Sequence, residues 1–431
     1  MKALLTPLAC ALMVAPLAAQ ERPDTEQRVT LLERKLQILT QELENQKTGA
    51  DKSSSGGEGA YGLGAAASKV YGAPAGLSVG GYGEFLYQNF AGKRQNGTIA
   101  PQNNQLDALR AVFYIGYHFS DRIVFNSEVE FEHSGYSDEH PEGEAIVEFA
   151  YLDFLIRKEL NLRAGQLLLP LGFTNEMHEP PTVLSAARPF VEREGGIIPT
   201  TWHENGLGLH GELPGNLNYR LYLVNGMNAA GFNAGGISGG RQDGNKANAE
   251  RLAVTGRLDW HPVLGGTLGF GFYRGSSVVE TPHEAPILGT TIPTSVSEVH
   301  AEYRAQGWQF RALGARTNLG RRELESLGAT ADPHATGTRQ WGGYLEAGYD
   351  LLSRSGSRQA FIPFLRWERM NLQQRVASGV VADLANDQTI HTAGLSWKPI
   401  PQVAVKVDVS QVRNGASTGR SQWDLALGYE F

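Results

Sequence analysis

The chain has 431 residues, 41% of them hydrophobic and 19% charged, with 52 glycines and a formal net charge of -7. The mild acidity and the lack of a basic block argue against nucleic acid as a partner. Its single cysteine, Cys10, falls in a leader-like segment, so neither a disulfide nor a thiolate metal site is expected in the mature chain.

Residues 1–20 read as a secretory signal. Lys2 supplies the positive start and Leu4 to Leu17 the apolar run. Ala18, Ala19 and Gln20 are small residues suited to cleavage. A membrane anchor would need a longer apolar run, and the residues before Cys10 lack the usual lipoprotein leucine. Residues 21–48 are expected to be helical. Val29, Leu32, Leu36, Leu39 and Leu43 step by three and four, a short coiled-coil seam widened by Leu31 and Ile38. A single amphipathic helix lying on another surface is the alternative. Residues 49–76, rich in Gly, Ser and Ala, read as a flexible linker. After the leader no run of about 18 apolar residues occurs, so no helix is expected to span a bilayer. Barrel strands are not excluded by this, because half their residues face water.

From residue 77 to 431 the apolar period becomes two. Val403, Val405, Val407 and Val409 alternate with Ala404, Lys406, Asp408 and Ser410. Trp423, Leu425, Leu427, Tyr429 and Phe431 alternate with Gln422, Asp424, Ala426, Gly428 and Glu430. About sixteen such segments occur, near 77–90, 106–119, 121–133, 144–157, 160–169, 205–213, 217–225, 250–261, 265–274, 295–305, 307–318, 338–352, 359–371, 388–398, 402–413 and 420–431. Their connections alternate short and long. A soluble sandwich could produce the same alternation along each strand, but it has no reason to sort loop lengths by parity. The expectation is therefore an all-β transmembrane antiparallel barrel of about 16 strands, preceded by the short coiled-coil helix. Tyr117, Phe119, Trp260, Trp308, Trp367, Trp397 and Tyr429 are expected near strand ends as interfacial aromatics. In the fourth segment Phe149 and Tyr151 change phase against Leu152, Phe154 and Ile156, which predicts a bulge or a shifted register.

The C-terminal run Trp423, Leu425, Leu427, Tyr429 and Phe431 resembles the sorting signal of bacterial outer-membrane barrels. The order of signal, coiled coil, linker and barrel resembles the trimeric porins, in particular the phosphate-selective porin O and P group. The stretch from Arg163 to Gly172 is similar to the strand before that group's constriction loop. The resemblance implies a homotrimer in the outer membrane, with the helix and C-terminus in the periplasm and the third long loop folded into the pore. It departs in one respect: the ladder of arginines and lysines on which phosphate selectivity rests is missing.

Turning each polar face inward makes Arg110, Arg122, Arg251, Arg257, Arg304, Arg311, Arg366 and Lys406 candidate pore-wall cations, with Glu128 and Glu130 among the acids. On the lipid side near midplane each Lys or Arg would cost up to about 2–4 kcal/mol. For any one of them a wall residue satisfied within an ion-pair lattice is the alternative role. Loop 170–204 is the candidate constriction, stiffened by five prolines and carrying Glu176, His178, Glu179, Arg188, Glu192, Arg193, Glu194, His203 and Glu204. An external lid or a trimer latch is the other reading of it. Neither HExxH, CxxC nor a phosphate-cradling glycine loop is present, and although His178 with Glu179 and His203 with Glu204 are candidates for a metal site in the loop, neither pair puts two ligands on one face, so no catalysis, cofactor or metal is expected. The acidic stretch 138–144 is a candidate for divalent ions bridging lipopolysaccharide, against a plainly solvated loop. The functional expectations are a passive channel for small hydrophilic solutes or ions, an anion channel such as one for phosphate, or a non-conducting barrel tethered to peptidoglycan by its coiled coil.

Overall fold

The computed structural model describes residues 61–101, 104–135, 143–280, 290–328 and 332–431. The leader, the coiled-coil helix and most of the acidic stretch 138–144 lie outside them. Sixteen antiparallel strands form one closed barrel in which each strand pairs with its neighbours in sequence. They are β1 (Gly76–Phe90), β2 (Gln105–Ser120), β3 (Ile123–Glu132), β4 (Glu144–Arg157), β5 (Leu160–Leu168), β6 (His203–Leu213), β7 (Leu217–Asn225) and β8 (Leu252–Trp260). The second half comprises β9 (Gly266–Val278), β10 (Thr291–Ala305), β11 (Trp308–Leu319), β12 (Arg339–Tyr349), β13 (Ala360–Arg375), β14 (Asp387–Ile400), β15 (Val403–Asn414) and β16 (Gln422–Glu430). The ring closes where β1 meets β16, from Tyr82 opposite Glu430 to Phe90 opposite Gln422. Gly81 and Phe431 complete the seam by exchanging backbone hydrogen bonds of 3.1 and 2.9 Å.

The alternation of the sequence becomes the two faces of the wall. In β15, Val407 and Val409 are exposed on the outside while Lys406, Asp408 and Ser410 are buried inside. In β16, Leu425 and Leu427 face out and Asp424 and Ala426 face in. An outer surface this apolar suits lipid rather than water. The short connections are tight where residues accept left-handed backbone: Gln306 and Gly307 join β10 to β11 with φ of 52° and 86°. Trp260, Trp308, Trp397, Tyr117 and Tyr429 sit outside at the short-turn end of their strands. Trp367 does not belong to that girdle, since it lies mid-strand opposite Leu345 and His391.

Several boundaries differ from those expected. β9 and β10 extend beyond 265–274 and 295–305, because Ser276 and Ser277 continue the ladder against Pro293 and Ile292. His203 and Glu204 are the first residues of β6, paired with Leu168 and Leu167, and not part of the loop. The end of the supposed linker is packed: Leu63, Ala66, Ala67 and Val70 are buried. A short helix, α1 (Lys69–Gly72), lies inside β1, β2 and β3. The small residues that suggested flexibility are what allow this close packing; a Cβ on Gly116 of β2 would come within 2.6 Å of Val70. Asn126 donates to the Ala67 carbonyl at 2.8 Å and the Tyr71 hydroxyl to Asp153 at 2.7 Å, anchoring the segment to β3 and β4.

The expected irregularity in β4 is a bulge. Glu128 of β3 faces Phe149 and Val129 faces Val147, so Glu148 is the extra residue. The bulge turns Glu148 and Phe149 both into the lumen, where they are 2% and 0% exposed.

Candidate functional site

The inner wall is a lattice of paired charges, as low-dielectric burial demands. Arg110 lies 3.2, 2.9 and 3.0 Å from Glu84, Glu130 and Glu132. Arg304 and Arg311 share Glu302 at 2.8 and 2.5 Å. Arg366 bridges Glu346 and Glu368 at 3.1 and 2.8 Å. Arg257 and Arg220 both hold Asp259, at 2.8 and 2.7 Å. Two of the cations expected on the pore wall are elsewhere. Arg122 sits exposed in the turn before β3, and Arg251 sits exposed in the loop just ahead of β8. Both lie one residue outside the strand, where the inward–outward alternation no longer holds.

A second cluster escaped the sequence reading. Arg163 (β5) binds Asp153 (β4) at 2.8 Å, and His210 (β6) approaches the other oxygen of Asp153 at 2.7 Å. Asp153 follows the phase break in β4, so its direction could not be read without placing the bulge. The bulge itself was the available signal.

The segment between β5 and β6 is folded within the barrel. Leu169, Leu171, Val191, Ile197, Ile198 and Trp202 are fully buried against inner-wall aromatics such as Tyr82, Tyr222, Tyr273 and Tyr344. Removing side chains of this size from water stabilises by about 1.5–3 kcal/mol each. The amide of Asn175 clamps the two ends together, donating to the carbonyls of Leu169 and Trp202 at 2.6 and 2.9 Å and accepting from the Trp202 N–H at 2.6 Å. Wall side chains then satisfy the loop backbone. Lys406 donates to the Ser185 carbonyl at 3.0 Å, Lys398 to that of Pro181 at 2.7 Å, and Arg257 to that of Gly172. The N–H groups of Ala186 and Val191 donate to Asp408 and Glu368 at 2.6 and 3.2 Å.

This fixation separates the loop's charges. Glu176 is buried beside Arg220 at 3.3 Å. Glu192 accepts from the N–H groups of Phe173 and Thr174 at 2.5 and 3.1 Å and from the Tyr344 hydroxyl at 2.7 Å, so it is a tether. Glu204 likewise accepts from Trp202, Asn225 and Gln242 at 3.2, 2.5 and 3.1 Å. His203 bonds the Thr201 carbonyl at 2.8 Å. Glu179 is fully buried with its carboxyl against Gly64 of the N-terminal segment, and burial pushes it up to about 7. Burial, with Arg188 beside it, pulls His178 down to about 4, and burial lowers Arg193 to about 10.

Two polar cavities flank the loop and share no lining residue. One, of about 290 Å³, lies toward the short turns and is lined by Glu176, His210, Glu212, Arg220, Arg257 and Asp259. The other, of about 330 Å³, lies toward the long loops and is lined by Glu84, Arg110, Glu148, Arg188, Arg193, Glu194 and Arg241. Of the loop charges singled out from sequence, only Arg188, Arg193 and Glu194 line this outer cavity.

No protein-family model matches the chain. An uncharacterised protein of Aquifex aeolicus (strain VF5) is 36% identical over 356 residues, covering 80% of this chain and 78% of that one. The chain belongs to the same family as that protein. Among solved structures, the barrel is similar to Salmonella typhi OmpF in complex with daunomycin, with a TM-score of 0.54 and 14% identity over 82% of this chain and 97% of that one. It is also similar to the anion-selective porin of Comamonas acidovorans, with a TM-score of 0.53 and 11% identity over 82% and 99%. The outer-membrane channel DcaP of Acinetobacter baumannii gives 0.52 and 9% over 82% and 97%. The fold is that of an outer-membrane porin. In this porin barrel the inward loop leaves the third pair of strands, between β5 and β6.

Proposed function

We propose that this porin-fold protein is a passive outer-membrane channel for small hydrophilic solutes, narrowed by the 170–204 segment. One observation carries the reading: a closed barrel whose interior holds charged cavities on either side of an inward loop. A solute crossing it sheds water against fixed charges, and their sign sets selectivity. Acids and bases are mixed in both cavities, which favours small polar or zwitterionic solutes over a strong preference for anions such as phosphate. The charge distribution therefore supports the porin reading without the phosphate selectivity of the porin O and P group.

The proposal extends to assembly and surroundings. A homotrimer held partly by the 21–48 helix fits the coiled-coil seam, with that helix, the short turns and the C-terminus in the periplasm. On the outside of the long-loop end, Arg274, Ser295, Asn318, Arg339 and Arg375 form one cross-strand row, a row suited to lipopolysaccharide phosphates.

Planar-bilayer recording tests the channel. Stepwise openings with a small reversal potential in a KCl gradient are expected, and no gain in current when phosphate replaces chloride. Replacing Arg188 and Arg193 with alanine removes two cations from the outer cavity and should shift the reversal potential toward cation preference. Absence of conductance, or an unchanged reversal potential in the double variant, would remove the segment from the conduction path. Silent bilayers, together with capture of the protein by peptidoglycan, would favour the tether.

A further inference from the structure

Glu128 of β3, Glu148 at the β4 bulge and His178 of the inward loop come from three separate parts of the chain. One ligand atom from each lies within 4.8 Å of the other two. All three side chains are nearly inaccessible, with relative exposures of 0%, 2% and 3%. The His178 Nε2 is 3.0 Å from Glu128 Oε1 and 3.6 Å from Glu148 Oε2.

Donors are scarce around these three groups, the buried Tyr114 hydroxyl beside Glu128 being one. The Asn175 carbonyl, 3.2 Å from His178 Nδ1, can only accept, so Nδ1 carries a proton, and in the neutral imidazole the Nε2 lone pair then faces the two carboxylates. Glu128 Oε2 and Glu148 Oε2 are buried with no hydrogen-bond partner. Glu148 Oε1 accepts from the Thr201 hydroxyl. Of the nearby cations, Arg110 pairs with Glu84, Glu130 and Glu132, while Arg188 donates to the Thr200 hydroxyl at 3.4 Å and keeps its Nε and one Nη buried without a hydrogen-bond partner. Buried carboxylate oxygens left without a hydrogen-bond partner favour a bound cation.

We infer that Glu128, Glu148 and His178 form a binding site for a divalent transition-metal ion of the zinc class. Two carboxylate oxygens and one imidazole nitrogen make a borderline donor set, suited to Zn²⁺ and too nitrogen-rich for Ca²⁺. Bonds of about 2.0–2.1 Å to a tetrahedral ion place neighbouring ligand atoms about 3.3 Å apart, and the two nitrogen–oxygen separations, 3.0 and 3.6 Å, bracket that value. The carbonyl on Nδ1 is the outer partner that orients metal-bound histidines. Glu148 also lines the outer cavity, which provides a route for the ion and a fourth position for water. Bound there, the ion would clip the inward loop to β3 and β4. The inference does not rest on conduction.

The test uses the full-length protein, folded in detergent and stripped with a chelator. Zn²⁺ titration by calorimetry, with elemental analysis after dialysis, should give about one ion per chain. Co²⁺ in its place should give the intense visible absorption of a tetrahedral site. His178→Gln and Glu148→Gln, close in size to the native residues, should weaken affinity by about a hundredfold or more while keeping the far-ultraviolet spectrum of the barrel. Should a variant fail to fold, the Co²⁺ spectrum of the parent decides alone. Sub-stoichiometric zinc with only octahedral Co²⁺ absorption, or equal affinity in folded variants, would overturn the site and leave an imidazolium shared between carboxylates.

Discussion

At the residue scale, the lumen shows how a buried charge depends on its partner. Asp153 is fully buried and holds Arg163, His210 and the Tyr71 hydroxyl together. Asp153→Ala would strand a guanidinium that is 3% exposed. Breaking such a pair costs about 3–5 kcal/mol, so a clear fall in the urea midpoint in detergent is expected, read by tryptophan fluorescence. Asp153→Asn, which keeps the shape and part of the bonding, should fall less. Equal midpoints for parent and Asp153→Ala would show that water reaches the pair and screens it. Asp153 and Glu148 also mark the limit of reading residues from sequence. Both depend on where the β4 bulge falls, and the phase change between Phe149 and Leu152 announced a bulge without locating it at Glu148. By contrast Arg110, Arg257, Arg304, Arg311, Arg366 and Lys406 were legible, because a charge on a regular lipid-bathed strand can point only one way.

At the element scale, two segments fill the lumen, and their sequences differed in what they revealed. The 170–204 segment carried its signal in length and prolines. That it is held by an apolar core inside the barrel was not readable, since Leu169, Val191, Ile197 and Trp202 have no periodicity to assign them a face. The 61–75 segment gave the opposite impression: Gly, Ala and Ser suggest a tether, yet here they permit contact with β2. Gly116→Leu should expel α1, because the site of its first side-chain atom lies 2.6 Å from Val70. The chain's sole cysteine is Cys10, so Ala67→Cys provides a probe inside the packed segment. Its maleimide labelling should be slow in the otherwise native protein. Adding Gly116→Leu should speed it about tenfold or more, equivalent to about 1.4 kcal/mol less local stability. The same labelling rate in both would mean that the segment is already open.

At the scale of the whole molecule, the barrel is defined by the contrast between its faces. Val407 is exposed outward near the middle of β15, while the adjacent Lys406 is 1% exposed inside. Val407→Arg places a cation in lipid and should destabilise the protein folded in phospholipid vesicles by about 2–4 kcal/mol, measured by reversible urea unfolding. An unperturbed midpoint would mean that this face does not meet the bilayer interior.

The sequence alone determined the barrel, its strand number and which way the regular strands face. These follow from local periodicity and from the alternation of short and long connections, and each is set by residues close together in the chain. Only the tertiary structure decided what occupies the lumen: the burial of 61–75, the division into two cavities, and the meeting of Glu128, Glu148 and His178. Those outcomes rest on contacts between segments far apart in sequence, directed by one bulged residue and by packing among side chains that carry no repeating pattern.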